Sequence, residues 1–454
     1  MLDALIVLAY LACVVFLGLW AARRGHDGLS DFVLAGRRLT LPLFVATLVP
    51  SFYGGVLGVG EFTWENGLSN WLVMGLPYYV FAAVYAVALA GRVRAAEGLT
   101  IPDHFERAYG PRLAAWSGLL VFLLANPADE LLMIGLLLSR AIGVPVAAAM
   151  ALAGAASFAL LRRGGLRSDV WANALQFVVM FAGFAVILPG ALSRAGGLGG
   201  LSAALPAGHL SLRGGMSGWR ILSWWLIAVW TLVDPSFHQR CASAESGATA
   251  RAGILWSIAF WFLFDAMTTT AGLCSRALMP GLRAPLLAYP SLADALLPAG
   301  LRGLFYAALA SSILAALQTK TLLAGVSLGK DAAARILSLG ERAQQSLARW
   351  ALLAALALGW ALALWIPSVV DLWYAVGTTI IPALLLPLLG TYFPRMRVSA
   401  RFAALSSAAG LALSGGFWLA GRFLGAPPWG IEPMFPGLAA SALVWAVGLS
   451  RALA

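Results

Sequence analysis

Residues 46–67 read ATLVPSFYGGVLGVGEFTWENG and lie in an apolar run long enough to cross a lipid bilayer. Proline removes a backbone donor and glycine weakens a helix, and this run is interrupted by Pro50, Gly54, Gly55, Gly58, Gly60 and Gly67. A broken helix survives in hydrocarbon only where it lines a cavity or is buried in protein. The segment therefore predicts a broken membrane helix that offers carbonyl groups to an ion or a solute. The alternative is that the glycines serve close helix packing.

The composition indicates an integral membrane protein. Of the 454 residues, 61% are hydrophobic and 11% are charged. Apolar runs of about twenty residues recur along the chain, which no soluble domain of this size shows. The net charge of +11 comes mainly from arginines in short loops, so it indicates orientation and not a nucleic-acid partner. Three scattered cysteines favour neither a disulfide framework nor a zinc site.

Thirteen membrane spans are predicted in an all-α fold. They cover residues 2–22, 41–63, 71–90, 113–141, 144–161, 170–192, 220–238, 252–273, 303–328, 350–366, 372–393, 400–420 and 434–450. Arg23 and Arg24 follow the first apolar run, which is the reverse of a cleaved signal peptide and favours a retained helix. The longer connections, 193–219 and 274–302, are expected to hold short interfacial helices or a lid.

The distribution of positive charge predicts the orientation. With the N-terminus outside and the C-terminus in the cytoplasm, most of the 30 lysines and arginines fall in inner loops. Lys320 alone falls in the interior of a predicted span, away from its ends. We expect the chain to lie in a bacterial-type plasma (inner) membrane, as a single transporter domain over residues 1–454.

A second interrupted span matches the first. Asp234 and Pro235 lie within residues 220–238, RILSWWLIAVWTLVDPSFH, which is the fifth span after span 41–63. Because five is odd, the two interrupted helices cross the membrane in opposite directions, which is typical of inverted-repeat transporters. The predicted repeats are 41–192 and 220–393, with the leading helix 2–22 before them and two helices, 400–450, after them.

Five motifs in the same order resemble those of the sodium:solute symporter family, which shares the inverted-repeat fold of the bacterial amino-acid transporter LeuT. They are SDFVLAGR at 30–37, LTIPDHF with RAYG at 99–110, GGL with WANALQ at 164–176, the pair Gln239-Arg240, and the small-residue run 303–331 that ends at Asp331. The resemblance covers nearly the whole chain. It implies a carrier that works by alternating access and holds solute and ion between the two broken helices.

The departures from the family pattern concern the ion. The resemblance implies a sodium site made of carbonyls from the first broken helix, around Pro50, and two hydroxyls from span 303–328. Counted back from Asp331, the two hydroxyl positions are Ala315 and Ala316, and the family's supporting Asp is Asn173 here. A small hard cation needs several oxygen ligands, so sodium coupling is doubtful and coupling to protons or exchange is the expectation.

Lys320 suggests a replacement for the ion. It lies four residues after Ala316 on the same helix face, and its side chain leans back toward the first break. We expect its nitrogen to contact carbonyls of residues 49–54 or a buried carboxylate, with Asp129 and Asp234 favoured. The alternative is that Lys320 snorkels to the inner interface.

Four acids also lie within predicted spans, and they are candidates for solute binding or proton transfer. Asp129 and Glu130 follow Pro127, which is expected to kink span 113–141. Because adjacent side chains on a helix point about 100° apart, only one of the two acids is expected to face the cavity. The alternatives are a structural pair with Lys320 for Asp129 or Asp234, and a purely structural role for Asp265.

The candidate solute-binding residues are Ser51, Tyr53, Gly54, Asp129, Glu130, Trp230 and Asp234. Aromatic side chains at Trp64, Trp224 and Trp225 are further candidates for the cavity wall, whereas His238 is expected to be a plain interface residue. No hydrolase or phosphate-binding motif appears, so we expect no enzyme and no cofactor. The acids favour an amine on the solute and Lys320 favours a carboxylate, so the solute identity stays open.

Three functions remain as hypotheses. The first is a secondary transporter of a small polar organic solute with a degraded sodium site. The second is an ordinary sodium-coupled symporter with a non-standard ion site. The third is a transporter-like membrane sensor, which the absence of a signalling domain in this sequence disfavours.

Overall fold

The structure, a computed structural model, describes residues 1–24 and 28–453, and these form helices joined by short connections. The long helices are Leu2–Ala22, Leu41–Phe52, Val56–Asn66, Leu76–Ala88, Pro111–Leu124, Ala128–Ile142, Val146–Arg194, Gly247–Leu278, Leu301–Val326, Glu341–Trp365, Val369–Tyr392, Ala400–Leu424 and Met434–Leu453. The short helices are Leu29–Leu34, Ala90–Ala95, Ile101–Tyr109, Gly197–Ala204, Gly218–Ile227, Trp230–Val233, Pro235–Ser243, Ala288–Leu296 and Ala334–Ile336. The two long connections thus hold the short helices Gly197–Ala204 and Ala288–Leu296, as expected.

The first predicted interruption is present, and it begins at Tyr53. Pro50 lies in the last turn of helix Leu41–Phe52, where it cannot donate the intrahelical hydrogen bond to the carbonyl four residues earlier. Tyr53 and Gly55 leave helical geometry, with ψ of 24° and 21°, and a tight turn at Tyr53–Gly55 joins this helix to Val56–Asn66. We call Tyr53–Gly55 the first break.

The second predicted interruption is centred on Asp234, which we call the second break. Its backbone is extended, with φ −65° and ψ 118°, between helices Trp230–Val233 and Pro235–Ser243. Asp234 Oδ1 accepts hydrogen bonds from Ser236 N at 2.7 Å and from Ser236 Oγ at 2.6 Å. An acidic N-cap followed by proline is a favourable helix start, so the sequence ends one helix and begins another here.

A third interruption is sharper than the sequence predicted. The expected kink at Pro127 is a full break, because helix Pro111–Leu124 ends and helix Ala128–Ile142 begins after residues 125–127. We call residues 125–127 the middle break. Asp129 and Glu130 therefore stand in the first turn of a helix, where the positive end of the helix dipole stabilises carboxylates.

Eleven helical segments in the described residues are long and apolar enough to cross a membrane. Two differences separate this count from the thirteen predicted spans. Spans 144–161 and 170–192 lie in one assigned helix, Val146–Arg194, broken at Gly165, where φ is 51° and ψ is −134°. Span 220–238 is divided into pieces too short to be counted. Thirteen crossings and the limits of the two repeats stay predictions.

Helix Leu301–Val326 lies at the centre of the bundle. Within its most apolar window 94% of the residues are buried, against 28% for Leu2–Ala22 at the periphery. It passes so close to the first break that a Cβ added to Gly54 would lie 2.1 Å from Ala316 Cβ. Glycine is therefore required at Gly54 by close approach. This contact places Lys320 next to the first break.

Candidate functional site

A cavity of about 450 Å³ lies between the broken helices. Its wall includes Ser51 and Tyr53 from the first broken helix, Asp234 from the second, and Asp129 from the helix after the middle break. The expectation that the first and second breaks face one cavity is confirmed. The approximate two-fold axis between the two breaks stays a prediction.

The ammonium of Lys320 lies between two neighbouring carboxylates. Its Nζ is 3.0 Å from Asp129 Oδ1, 2.9 Å from Asp129 Oδ2 and 2.6 Å from Glu130 Oε1. The expected pair with a buried carboxylate is therefore present, and Asp129 is its partner as predicted. The alternative of a lysine at the inner interface is wrong, because the side chain bonds buried acids and lines the cavity.

Of the two carboxylates favoured for Lys320, only Asp129 is a partner, and the expectation that one of Asp129 and Glu130 faces the cavity was wrong. Asp234 does not pair with Lys320, because it caps helix Pro235–Ser243. Asp129 and Glu130 both line the cavity, although only one was expected to. Side chains about 100° apart can converge on one ammonium that lies between them. Among the described residues, no hydrogen bond joins Lys320 to the carbonyls of residues 49–54.

The positions compared with the family's sodium site carry few oxygen ligands. Ala315 and Ala316 are buried and offer no side-chain oxygen. The Asn173 amide donates to Asp169 Oδ2 at 3.2 Å and to Thr319 Oγ1 at 3.5 Å, and its Oδ1 is buried without a hydrogen-bond partner in the described chain. Gly54 and Pro50 do not line the cavity, since Gly54 packs on Ala316.

A buried ion pair beside this region was missed by the sequence reasoning. Arg240 Nη2 lies 2.5 Å from Asp169 Oδ2 and 2.8 Å from Thr319 Oγ1, and both charged side chains are fully buried. Arg240 also donates to Gln239 Oε1 at 2.7 Å. Asp169 lies one helical turn before Asn173, in a segment predicted as an inner loop. Because Asp169 lies on the same helix face as Asn173, the spacing of four residues could have indicated that both face the same buried region.

Asp265, for which a purely structural role was the alternative, belongs to the cavity wall. Its two carboxylate oxygens accept hydrogen bonds from the hydroxyls of Tyr53 and Tyr79, and all three side chains line the cavity. Tyr53 also lies 2.9 Å from Thr268 Oγ1. The hydroxyls hold the Asp265 carboxylate in place without adding positive charge. The role of Tyr79 had no signal in the sequence beyond its being an aromatic residue in a span.

The aromatic candidates divide into two groups. Trp224 and Trp230 line the cavity, as does Trp373, whose indole N–H donates to Asp129 Oδ2 at 2.6 Å. Trp64 and Trp225 lie elsewhere and donate to the backbone oxygens of Met279 and Leu72, so these two candidates do not belong to the wall. These two indole N–H groups bind carbonyls that are distant in the chain, and a pattern of aromatic residues does not reveal such contacts.

His238 is also placed differently from the expectation. It is buried in helix Pro235–Ser243, where Nδ1 lies 3.1 Å from the Asp234 carbonyl oxygen. Its ring packs against Tyr85, with centroids 5.2 Å apart, and against Tyr392. The side chain is therefore a packed core residue and not an interface residue.

The cavity opens toward one end of the bundle. Two acids line this opening. Asp371 lies in the first turn of helix Val369–Tyr392, and Glu432 lies just before helix Met434–Leu453. At the opposite end the two broken helices are joined through their flanking backbone. Leu39 N donates to Ser243 O at 2.9 Å, and Glu245 N donates to Leu39 O at 3.1 Å. In the predicted orientation, this arrangement is open to the outside and closed to the cytoplasm.

An ionic cluster holds the closed end. Lys330 Nζ lies 2.6 Å from Asp103 Oδ1 and 2.7 Å from Asp331 Oδ1, and Arg335 contacts both acids. Burial opposes ionisation of Asp103, but the charges and hydrogen bonds of Lys330 and Arg335 outweigh it and hold its pKa well below the ordinary range. The cluster joins helix Ile101–Tyr109 to the end of the central helix.

The chain is similar in sequence to known transporters. The chain is 26% identical over 375 residues to the human sodium/glucose cotransporter 4, which aligns 69% of this chain but 53% of the cotransporter. It is 25% identical over 466 residues to the sodium/pantothenate symporter of Escherichia coli, with 97% of this chain and 95% of the symporter aligned. The chain thus spans about half the length of the glucose cotransporters that it matches.

Solved structures support the fold. A Na⁺-coupled sialic acid symporter in a substrate-bound outward-open state superposes with a TM-score of 0.83 at 13% identity, over all of this chain and 98% of that one. A transporter of the nucleobase-cation-symport-1 family superposes with a TM-score of 0.57 at 12% identity, over 94% of this chain and 93% of that one. The expected LeuT-like all-α fold is confirmed.

The family is established by its model, described as the sodium:solute symporter family, which matches residues 32–407. The apolar helices, the cavity between two broken helices and these comparisons lead to one assignment. The chain is an integral membrane protein that belongs to the sodium:solute symporter family.

Proposed function

We propose that this protein is a secondary active transporter that moves a small polar organic solute by alternating access, with Lys320 in the place of a coupling sodium ion. The observation that carries the proposal is the ammonium of Lys320, held by Asp129 and Glu130 beside the first break. The protein is not proposed to be an enzyme. It is proposed to bind a solute and lipid, and no nucleic acid.

The architecture supports alternating access. The cavity is bounded by both broken helices, opens at one end and is closed at the other by the contacts of Leu39 and of Lys330. Discontinuous helices offer backbone groups to a solute without unpaired carbonyls facing lipid. Opening the Lys330 cluster while closing the mouth at Asp371 and Glu432 would give access from the other side.

The charges near the first break support the replacement of sodium. A sodium ion would need several oxygen ligands, yet Ala315 and Ala316 offer none from their side chains. The ammonium of Lys320 already supplies one positive charge to the two acids beside Gly54. A tethered cation cannot diffuse away, so coupling would come from protons or from exchange of one solute for another.

The location is proposed from the same charge pattern that predicted the topology. Most lysines and arginines fall in loops assigned to the inner side, which favours a plasma membrane of bacterial type with the N-terminus outside. Cysteine labelling tests this orientation. Of the native cysteines, Cys13 is exposed in the first helix and would itself react, whereas Cys241 and Cys274 are buried. New cysteines at exposed loop positions, placed in a background without Cys13, would report the side of each loop.

Sodium-coupled symport is the second candidate, and the names of the aligned relatives favour it. The two candidates differ in a reconstituted system. Purified protein in proteoliposomes is loaded with a solute found by thermal-shift screening, and exchange and uptake are followed in sodium and potassium buffers. Uptake that is equal in both buffers supports the proposal, and steep activation by sodium alone supports the second candidate.

A further inference from the structure

The wall of the cavity carries more carboxyl groups than basic side chains. Four carboxylates line its interior, Asp129, Glu130, Asp234 and Asp265, whereas Lys320 is the single lysine or arginine among the described residues that line it. Asp371 and Glu432 add two more carboxylates at the mouth. Uncompensated carboxylates in a region of low dielectric are costly, so this wall favours additional positive charge from a bound species.

Lys320 is not available to an anionic solute. An ammonium has three donors, and this one contacts Asp129 Oδ1, Asp129 Oδ2 and Glu130 Oε1 at 2.6 to 3.0 Å. A solute carboxylate could bind Lys320 only by displacing a buried acid, which would then lack a counter-charge. The residue that, taken alone, favoured a carboxylate on the solute is therefore already neutralised from within the protein.

Glu130 offers an acceptor that no protein group fills. The residue is 2% exposed, and Lys320 occupies its Oε1. Its Oε2 is buried without a hydrogen-bond partner among the described residues. Leaving a buried acceptor unpaired costs about 1–3 kcal/mol, and an N–H of a solute at the cavity wall would remove this cost.

Asp234 and Asp265 are held by neutral donors alone. Asp234 accepts from Ser236 N and Ser236 Oγ, and Asp265 accepts from the hydroxyls of Tyr53 and Tyr79. In the part of the chain that the structure describes, neither carboxylate has a lysine, arginine or histidine nitrogen within 4.0 Å, the limit for an ion pair. Hydrogen bonds of this kind orient a carboxylate and leave its negative charge for a ligand.

Aromatic rings complete the surroundings that a cation prefers. The ring of Phe52 lies 4.5 Å from that of Trp261 and 5.6 Å from that of Tyr78, and all three rings line the cavity with Trp230. The faces of such rings attract ammonium groups, and the attraction increases when water is excluded. A cavity of about 450 Å³ has room for a small solute.

We propose that the solute is a small organic cation, carrying a protonated or quaternary amine, which is surrounded by these rings and balanced by Glu130, Asp234 and Asp265. That this ligand is transported rests on the proposed function above, whereas its binding can be measured separately. The interior carboxyl groups outnumber the tethered ammonium four to one, and a bound cation would supply a further positive partner.

The experiment compares probes that differ in charge and match in size. The purified full-length protein is titrated with choline, with the neutral analogue in which carbon replaces the quaternary nitrogen, and with the anion tert-butylacetate. Butylamine, butanol and butyrate form a second set. Binding is followed through tryptophan fluorescence and the melting temperature. We expect at least one cation to bind about tenfold or more tightly than its neutral and anionic partners.

Charge-removing variants test the assigned residues. Asp234→Asn and Asp265→Asn should each weaken binding of the cation about tenfold, because each removes one counter-charge. Asp294→Asn is the matched control, since Asp294 pairs with Arg140 at 2.7 Å and does not line the cavity. It should leave the affinity unchanged.

Two outcomes would overturn the proposal. One is a neutral or anionic probe that binds as tightly as the matched cation, and the other is binding by neither cation. Both readings come from the wild-type protein, so they do not depend on the folding of a variant. Counterflow of the bound cation in proteoliposomes is measured apart from these titrations. Selective binding without counterflow would refute the proposed function and leave this inference standing.

Discussion

Lys320 on helix Leu301–Val326 and Glu130 on helix Ala128–Ile142 are joined by an ion pair of 2.6 Å beside the first break. The pair depends on the middle break, because that break turns Asp129 and Glu130 into the first residues of a helix. Carboxylates are favoured at that end of a helix. The break and the lysine together place three charges at the cavity wall without an inorganic ion.

Removing the ammonium should uncouple the transporter. Lys320→Ala leaves Asp129 and Glu130 without a counter-charge, so we expect at least about tenfold slower solute uptake, or a protein locked in one access state. Lys320→Arg should fail as well, because a planar guanidinium does not replace a compact ammonium. Uptake in proteoliposomes and cysteine accessibility measure the two effects.

Expression of Lys320→Ala should stay near normal, because the lysine side chain faces the cavity with 23% of its surface exposed. Arg283→Ala, on an exposed loop, is the matched control and should transport like the wild type. Normal transport by Lys320→Ala would refute the idea of a tethered cation.

The buried pair of Arg240 and Asp169 should be a structural requirement. Both side chains are fully buried, so Asp169→Asn or Arg240→Gln alone leaves an unpaired charge and should cost about 3–5 kcal/mol of unfolding free energy. The double variant should cost clearly less than the sum of the two. Thermal unfolding in detergent measures this coupling, and strictly additive losses would contradict it.

The close contact at the first break can be tested by exchanging volume. Gly54→Ala would place a Cβ 2.1 Å from Ala316 Cβ, and overpacking of this kind should destabilise the protein by about 1–3 kcal/mol. Adding Ala316→Gly should restore most of the loss, because the methyl group moves from one helix to the other. The measurement compares the melting temperatures of Gly54→Ala, Ala316→Gly and the double variant with that of the wild type. If Gly54→Ala left the melting temperature unchanged, the backbone at Gly54 and helix Leu301–Val326 would have to be farther apart than this contact implies.

The cluster at the closed end should show a defined pH dependence. The pKa of Asp103 is held below its ordinary value of 3.8, so the folded state keeps this carboxylate ionised where the unfolded chain protonates it. Its stabilisation is therefore fully present above pH 3.8 and is lost as the pH falls below that value. Asp103→Asn should lower stability by about 1–3 kcal/mol at neutral pH.

The difference in melting temperature between wild type and Asp103→Asn should stay constant from neutral pH to about pH 5 and shrink below it. Glu97→Gln is the control, because the Glu97 side chain is 88% exposed and its pair with Arg107 contributes little. A difference that vanished already at pH 6 would show that Asp103 is not the titrating group.

The sequence predicted the class of fold and the broken helices, because both follow from local composition. Pro50, Asp234 and Pro235 remove backbone hydrogen bonds in apolar runs, and that effect is readable without coordinates. The spacing of four residues between Ala316 and Lys320 also predicted the direction of the lysine side chain. These inferences needed no knowledge of which helices touch.

The parts that failed depend on contacts between distant segments. Nothing near Asp265 in the chain reveals that Tyr53 and Tyr79 donate to it, and nothing near Asp169 reveals Arg240. A local contact also mattered, because Asp234, one of the two carboxylates favoured for Lys320, accepts from the N–H of Ser236 in the following helix instead. Local hydrogen bonds at helix starts compete with long-range ion pairs, and they prevailed here.

The replacement of sodium by Lys320 is tested most directly by sodium binding to the purified wild-type protein. Radioactive sodium is titrated in a scintillation proximity assay, with unlabelled sodium or potassium as competitor. Because Ala315 and Ala316 withhold oxygen ligands and Lys320 supplies the positive charge, we predict no saturable sodium binding in the millimolar range. Saturable binding that sodium displaces and potassium does not would contradict the account.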